Sequence, residues 1–118
     1  MLEKSTMSAE FFDCLQHKCA YVAIGEFKPG RFAEAQRLYE KAISTYKHGF
    51  KGAFLLRKPN SDEGIAVILW NTIEDMEANQ TEVHRKILDE MGPLFNVPPV
   101  TNIYEVCSEV EAYGKVLC

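Results

Sequence analysis

At 118 residues the chain is one domain, large enough for a single ordinary core. Its 47% apolar and 25% charged residues are the globular average, and a net charge of −4 with no Lys/Arg-rich run argues against nucleic acid as a partner. The longest apolar run falls far short of the ~20 residues a membrane helix needs. Glu3, Lys4, Glu10 and Asp13 break up any signal-peptide core, so the expectation is a cytoplasmic protein with no membrane partner.

Residues 1–19 read as an N-terminal extension. Ser8 can cap a short helix, Ala9–Lys18, with Glu10 in its first turn where a carboxylate favours the helix dipole. Phe11, Phe12, Leu15 and Cys19 give that helix one apolar side. A first strand, Ala20–Lys28, ends at Pro29-Gly30. From Arg31 the apolar period lengthens: Phe32, Ala35, Leu38, Tyr39, Ala42, Ile43 and Tyr46 form one stripe, and His48-Gly49 closes the helix.

Two further strands, Gly52–Lys58 and Ile65–Trp70, flank a turn-rich link, Pro59–Gly64. The run Ile65–Trp70 is apolar at every position, which fits a strand buried on both faces. Thr72 then caps a helix with Asp75 three residues on, and Ile73 and Met76 are expected to pack inward. The helix resumes or continues through Thr81–Met91 with Val83, Ile87, Met91 and Leu88 as its apolar stripe, and Gly92-Pro93 ends it. Leu94–Pro99 reads as a proline-rich linker and Val100–Val110 as the last strand. The tail, residues 111–118, is too short to assign.

This order is an α+β, ferredoxin-like βαββαβ domain over residues 20–110, with a four-stranded antiparallel sheet and an extra N-terminal helix. The first and third strands are the most apolar and belong in the centre of the sheet. Both helices cover the same face. Yet Ile65, Val67 and Leu69 alternate with Ala66, Ile68 and Trp70, so the other face is apolar too. It presents ~400 Å² even in projection, as much as the largest patch of a typical monomer. A second copy of the chain is the simplest cover, giving a homodimer; the alternative is the N-terminal helix folded back.

Cys14, Cys19, Cys107 and Cys118 lack the close pairing of a zinc site and are expected as reduced thiols. Neither a P-loop, nor G-x-G-x-x-G, nor G-x-S-x-G, nor HExxH occurs.

The run GFKGAFLLR (Gly49–Arg57), the strand ending Leu69-Trp70 and the helix start Ile73–Met76 (IEDM) resemble the antibiotic biosynthesis monooxygenase domain. That family belongs to the dimeric α/β-barrel superfamily, and the resemblance runs from Ala20 to Val110. It implies a homodimer whose sheets form a barrel, with a pocket between sheet and helices in each subunit. Relatives include cofactor-free oxygenases of phenols or quinols, haem-degrading enzymes and proteins without an assigned reaction. The haem-degrading branch uses an Asn on the first strand, a Trp on the third and a His on the second helix. Trp70 matches the Trp, while His84 lies later on its helix than the ligand and the strand AYVAIGEF has no Asn. The expectation is therefore a site with neither metal nor cofactor.

His84 and Trp70 are the candidate catalytic residues, the first as a proton shuttle near neutral pH and the second as a stacking wall. The plainer readings are a surface histidine near a helix start and a core tryptophan. Tyr21, Arg57, Asn71 and Tyr104 are the candidate substrate-binding residues, with Tyr39 beside them as a further hydrogen-bonding group. The resulting expectation is a protein that binds a small aromatic molecule and oxygenates a phenol or quinol without a cofactor. The alternative is a non-catalytic binding or stress-response module built on the same pocket.

Overall fold

The computed structural model describes residues 18–112 and 116–117. The expected helix over 9–18 lies outside them but for Lys18. In chain order the elements are β1 (Cys19–Phe27), α1 (Phe32–Ile43), β2 (Phe50–Arg57), β3 (Glu63–Trp70), α2 (Ile73–Ala78), α3 (Glu82–Met91) and β4 (Phe95–Glu105). The sheet order is β2-β3-β1-β4, antiparallel throughout, so the two most apolar strands are central and the α+β ferredoxin-like arrangement stands. No helix among the described residues is long and apolar enough to cross a membrane.

Register sorts the sheet into two faces. Tyr21 sits opposite Ile68, Ala23 opposite Ala66, and Leu55 also opposite Ala66, all on the side the helices cover. Phe27, Phe32, Ala35, Leu38, Ala42, Ile87, Met91 and Leu94 form one buried cluster there, with Phe27 edge-on to Phe32 at 5.4 Å and stacked on Phe95 at 4.6 Å. A second cluster holds Cys19, Ile68, Trp70 and Met76. Each large side chain so buried contributes about 1.5–3 kcal/mol.

Helix α1 stops at Ile43 rather than at His48-Gly49. The hydroxyls of Ser44 and Thr45 turn back onto the carbonyls of Lys41 (2.6 Å) and Ala42 (2.7 Å), which satisfies the last turn locally. Gly49 takes the left-handed conformation (φ 86°) in the following turn, where any Cβ would collide with Asp75.

Thr72 caps α2 as expected, accepting from the Asp75 N–H at 2.9 Å, and Thr81 caps α3 by accepting from the His84 N–H at 3.3 Å. The inward stripe of α3 differs from expectation. His84, Ile87 and Met91 are buried, while Val83 is 61% exposed and Leu88 45%. In α2 only Met76 is buried, and Ile73 turns outward.

The expected linker Leu94–Pro99 is strand from Phe95 onward. An edge position tolerates Pro98 and Pro99, and two register shifts opposite Ile24–Phe27 absorb them. At its other end β4 stops at Glu105, and Glu109–Val110 pairs instead with Val116–Leu117 in a separate two-stranded ladder.

On the far face of the sheet, Val22, Ile24, Ile65, Val67 and Leu69 on the central strands are flanked by Phe54, Leu56, Val100 and Tyr104. Phe54 is 58% exposed and Val100 66%.

Candidate ligand cavity

Helices cover the sheet, but the floor beneath them is built from small residues. Ala23 pairs with Ala66 and Gly25 with Gly64 across the two central strands. Their missing side chains leave a cavity of about 610 Å³ between the two buried clusters. Tyr39 and Tyr46 from the α1 side, Trp70 from β3, and His84 and Met91 from α3 make its walls. Solvent-exposed Arg85 and Leu88 on α3 and Asn96, Pro98 and Pro99 on β4 line it as well.

The polar centre of the cavity is a pair that is distant in sequence. Tyr46 Oη and His84 Nε2 are 2.7 Å apart, and their rings lie 5.0 Å centre to centre. Tyr46 also meets Trp70 edge-on at 4.7 Å, and Phe50 meets Trp70 at 5.7 Å. Trp70 itself is 2% exposed. Burial pulls the His84 imidazole below its ordinary 6.5, so it sits neutral at pH 7. Burial, with Tyr21 and Tyr39 adding to it, pushes the Tyr46 phenol well above its ordinary range. Tyr39 is pushed up to about 12 by burial alone, and its hydroxyl donates to the Phe54 carbonyl at 3.0 Å.

Asn79, which is buried, ties together the backbone next to this pair. Its Oδ1 accepts from the Lys47 N–H at 2.8 Å, and its Nδ2 donates to the carbonyls of His48 (3.0 Å) and Asp75 (2.8 Å). The loop that follows Tyr46 is thereby tied to the corner between α2 and α3, just ahead of the Thr81 cap that begins the helix carrying His84.

Of the residues singled out from the sequence, Tyr21, Trp70 and His84 converge on the cavity, as does Tyr39. Arg57, Asn71 and Tyr104 do not line it. Arg57 lies over the Phe32 ring at 4.6 Å, donates through Nε to the Ser61 carbonyl and faces Asp62 at 3.5 Å, so its own hairpin holds it. Asn71 follows β3, and its N–H donates to the Gly49 carbonyl at 2.8 Å. Tyr104 sits opposite Ala20 and therefore points to the far face, 54% exposed. The surface reading of His84 fails: it is 7% exposed. Tyr46 and Asn79 were missed. Tyr46 was visible only as one more member of an apolar stripe, and nothing local marked Asn79 as buried.

The site does not fit a haem. The Nε2 that would face an iron is turned onto Tyr46, whose ring lies against the imidazole.

Neither family models nor curated proteins match the chain. Solved structures do. SnoaB, a cofactor-independent oxygenase from Streptomyces nogalater, matches with a TM-score of 0.68 at 13% identity, over 76% of this chain and 93% of its own. A provisionally named antibiotic biosynthesis monooxygenase from Caulobacter crescentus CB15 matches at 0.70 and 16%, over 78% and 92%. Another from Bordetella bronchiseptica matches at 0.66 and 20%, over 77% and 98%. The chain is thus an α+β ferredoxin-like protein with an aromatic-walled cavity under its helices. Its fold is that of the antibiotic biosynthesis monooxygenase structures, as its motif order implied.

Proposed function

We propose that the chain is a homodimeric member of the antibiotic biosynthesis monooxygenase family that binds a small aromatic molecule and oxygenates a phenol or quinol without a cofactor. The observation that carries the reading is the neutral Tyr46–His84 pair, 2.7 Å apart, inside a cavity otherwise walled by apolar and aromatic side chains. An apolar ring gains from leaving water for such a cavity, and a single polar pair fixes which way its hydroxyl points. Once the phenol gives up its proton, the electron-rich phenolate can reduce O₂ directly, with no metal between them. Trp70 would stack on the ring or shape the wall. The SnoaB likeness, a fold likeness only, agrees with this chemistry. The exposed apolar far face supports the dimer, since a self-complementary sheet-to-sheet contact would cover Phe54, Leu56 and Val100.

The test is oxygen uptake with a panel of hydroquinones and phenols. Uptake is expected with at least one, lowered about 10²-fold by His84→Ala and reduced also by Trp70→Phe. Binding without uptake across the panel would instead support the non-catalytic binding module.

A further inference from the structure

The Tyr46–His84 pair admits two arrangements at its 2.7 Å separation: the hydroxyl donates to a bare Nε2, or an Nε2–H donates to the phenol oxygen. A phenol ionises at ~10 and is the more acidic donor, while a neutral imidazole nitrogen is the better acceptor. Three titratable neighbours face the pair across the cavity lining: Tyr21 from β1, Tyr39 from α1 and Arg85 next along α3. Two are phenols and the third a guanidinium, which has no acceptor atom, and the Tyr39 hydroxyl is already committed to Phe54. His84 is therefore the proton acceptor among the described lining residues, and Tyr46 occupies the Nε2 through which it would act.

We propose that Tyr46 is the residue that touches the ligand hydroxyl and that His84 acts through it, the ligand O–H donating to the Tyr46 oxygen while the Tyr46 O–H donates to His84 Nε2. This rests on the aromatic-ligand reading above and deepens it by naming the residue that meets the ligand hydroxyl. The outer end of the pair is an acceptor, so the cavity selects aromatic rings that carry a hydroxyl over quinones and aryl ethers, which only accept. The proton step balances without an oxidant. The ligand O–H bond breaks and leaves its electron pair on the ligand oxygen. That proton joins the Tyr46 oxygen as the proton Tyr46 held moves to Nε2. The products are a phenolate, a neutral tyrosine and an imidazolium.

Trp70 is the chain's single tryptophan and lines the cavity, so its fluorescence reports occupancy. The probes are 4-nitrophenol and its O-methyl ether, 4-nitroanisole, titrated against the whole chain, together with nitrogen-15 NMR of the histidine ring. The phenol is expected to bind about tenfold more tightly than the ether, the worth of one buried hydrogen bond. Tyr46→Phe should bring that ratio close to one. His84→Gln should abolish the yellow phenolate absorbance of the bound dye. In the ligand-free protein His84 Nε2 should resonate as a bare, hydrogen-bonded nitrogen and lose that signature in Tyr46→Phe. A proton resident on Nε2 in the free protein, or a phenol-to-ether ratio unchanged by Tyr46→Phe, overturns the proposal. Failure of both probes to quench Trp70 would sink the aromatic-ligand reading, while the NMR arm alone still decides the direction of the pair.

Discussion

At position 84 the chain buries a histidine where a simple count of apolar residues on α3 put Val83. His84, Ile87 and Met91, spaced three and four residues apart, share the inward side of α3, and packing rather than a local pattern turns that side to the sheet. A buried neutral histidine leaves a mark on stability. Its folded pKa lies below the ordinary 6.5 of the unfolded chain, so the unfolded state takes up the proton first as pH falls. The stability His84 contributes is whole above about pH 6.5 and drains away below it. Chemical denaturation of the wild type and of His84→Gln, from about pH 8 to pH 5, should show a difference that shrinks on the acid side. A difference flat across that range would contradict a buried neutral His84. Tyr46 makes the complementary point at the same scale. Its place in an apolar stripe was legible, but its hydroxyl partner lies 38 residues away, and no local pattern encodes such a pairing.

Among the elements, the corner between α2 and α3 is where local and tertiary forces meet. Thr72 and Thr81 begin the two helices by a side-chain bond each, a signal that sequence carries openly. The corner is tied to the loop after α1 by Asn79, whose amide answers three backbone groups, two of them in that loop. Asn79→Ala would leave the Lys47 N–H and the His48 carbonyl without their partner. It should cost about 2–3 kcal/mol by urea denaturation and weaken ligand binding, since the same loop positions Tyr46. Asn79→Asp keeps the acceptor and loses the donors, so it should fall between. A loss under ~0.5 kcal/mol for the alanine variant would mean the clamp is not needed. Strand β4 shows the opposite balance. Pro98-Pro99 argued locally for a linker, but an edge position beside the bulged end of β1 needs fewer ladder bonds and admits them.

For the whole molecule the deciding feature is a sheet that is apolar on both sides. One side is covered by α1 and α3 except where Ala23, Gly25, Gly64 and Ala66 leave the cavity. The other carries Val67 at its centre, between Val22 on one neighbour and Phe54 on the other. The proposed homodimer predicts a light-scattering mass near twice the 13.4 kDa of one chain. Val67→Glu would bury a carboxylate in that contact and should reduce the mass to that of a single chain. A single-chain mass for the wild type at micromolar concentration would remove the dimer from the account.

Strand order and the Thr72 cap were determined by the sequence itself, because period, turn residues and hydroxyl spacing act within a few residues of one another. Trp70 and Tyr21 were legible as cavity residues for the same reason, since alternation along a strand sets which side each one faces. Asn71 and Arg57 show the limit: the Gly49 carbonyl that meets the Asn71 N–H and the Phe32 ring beneath Arg57 are brought there by the packed chain. Only the tertiary structure decided that Tyr46 and His84 would meet, that Asn79 would reach the loop after α1, and that four small floor residues would line up into one cavity. Those outcomes depend on segments far apart in the chain arriving at one place, and contact across such distances is set by packing rather than by any local pattern.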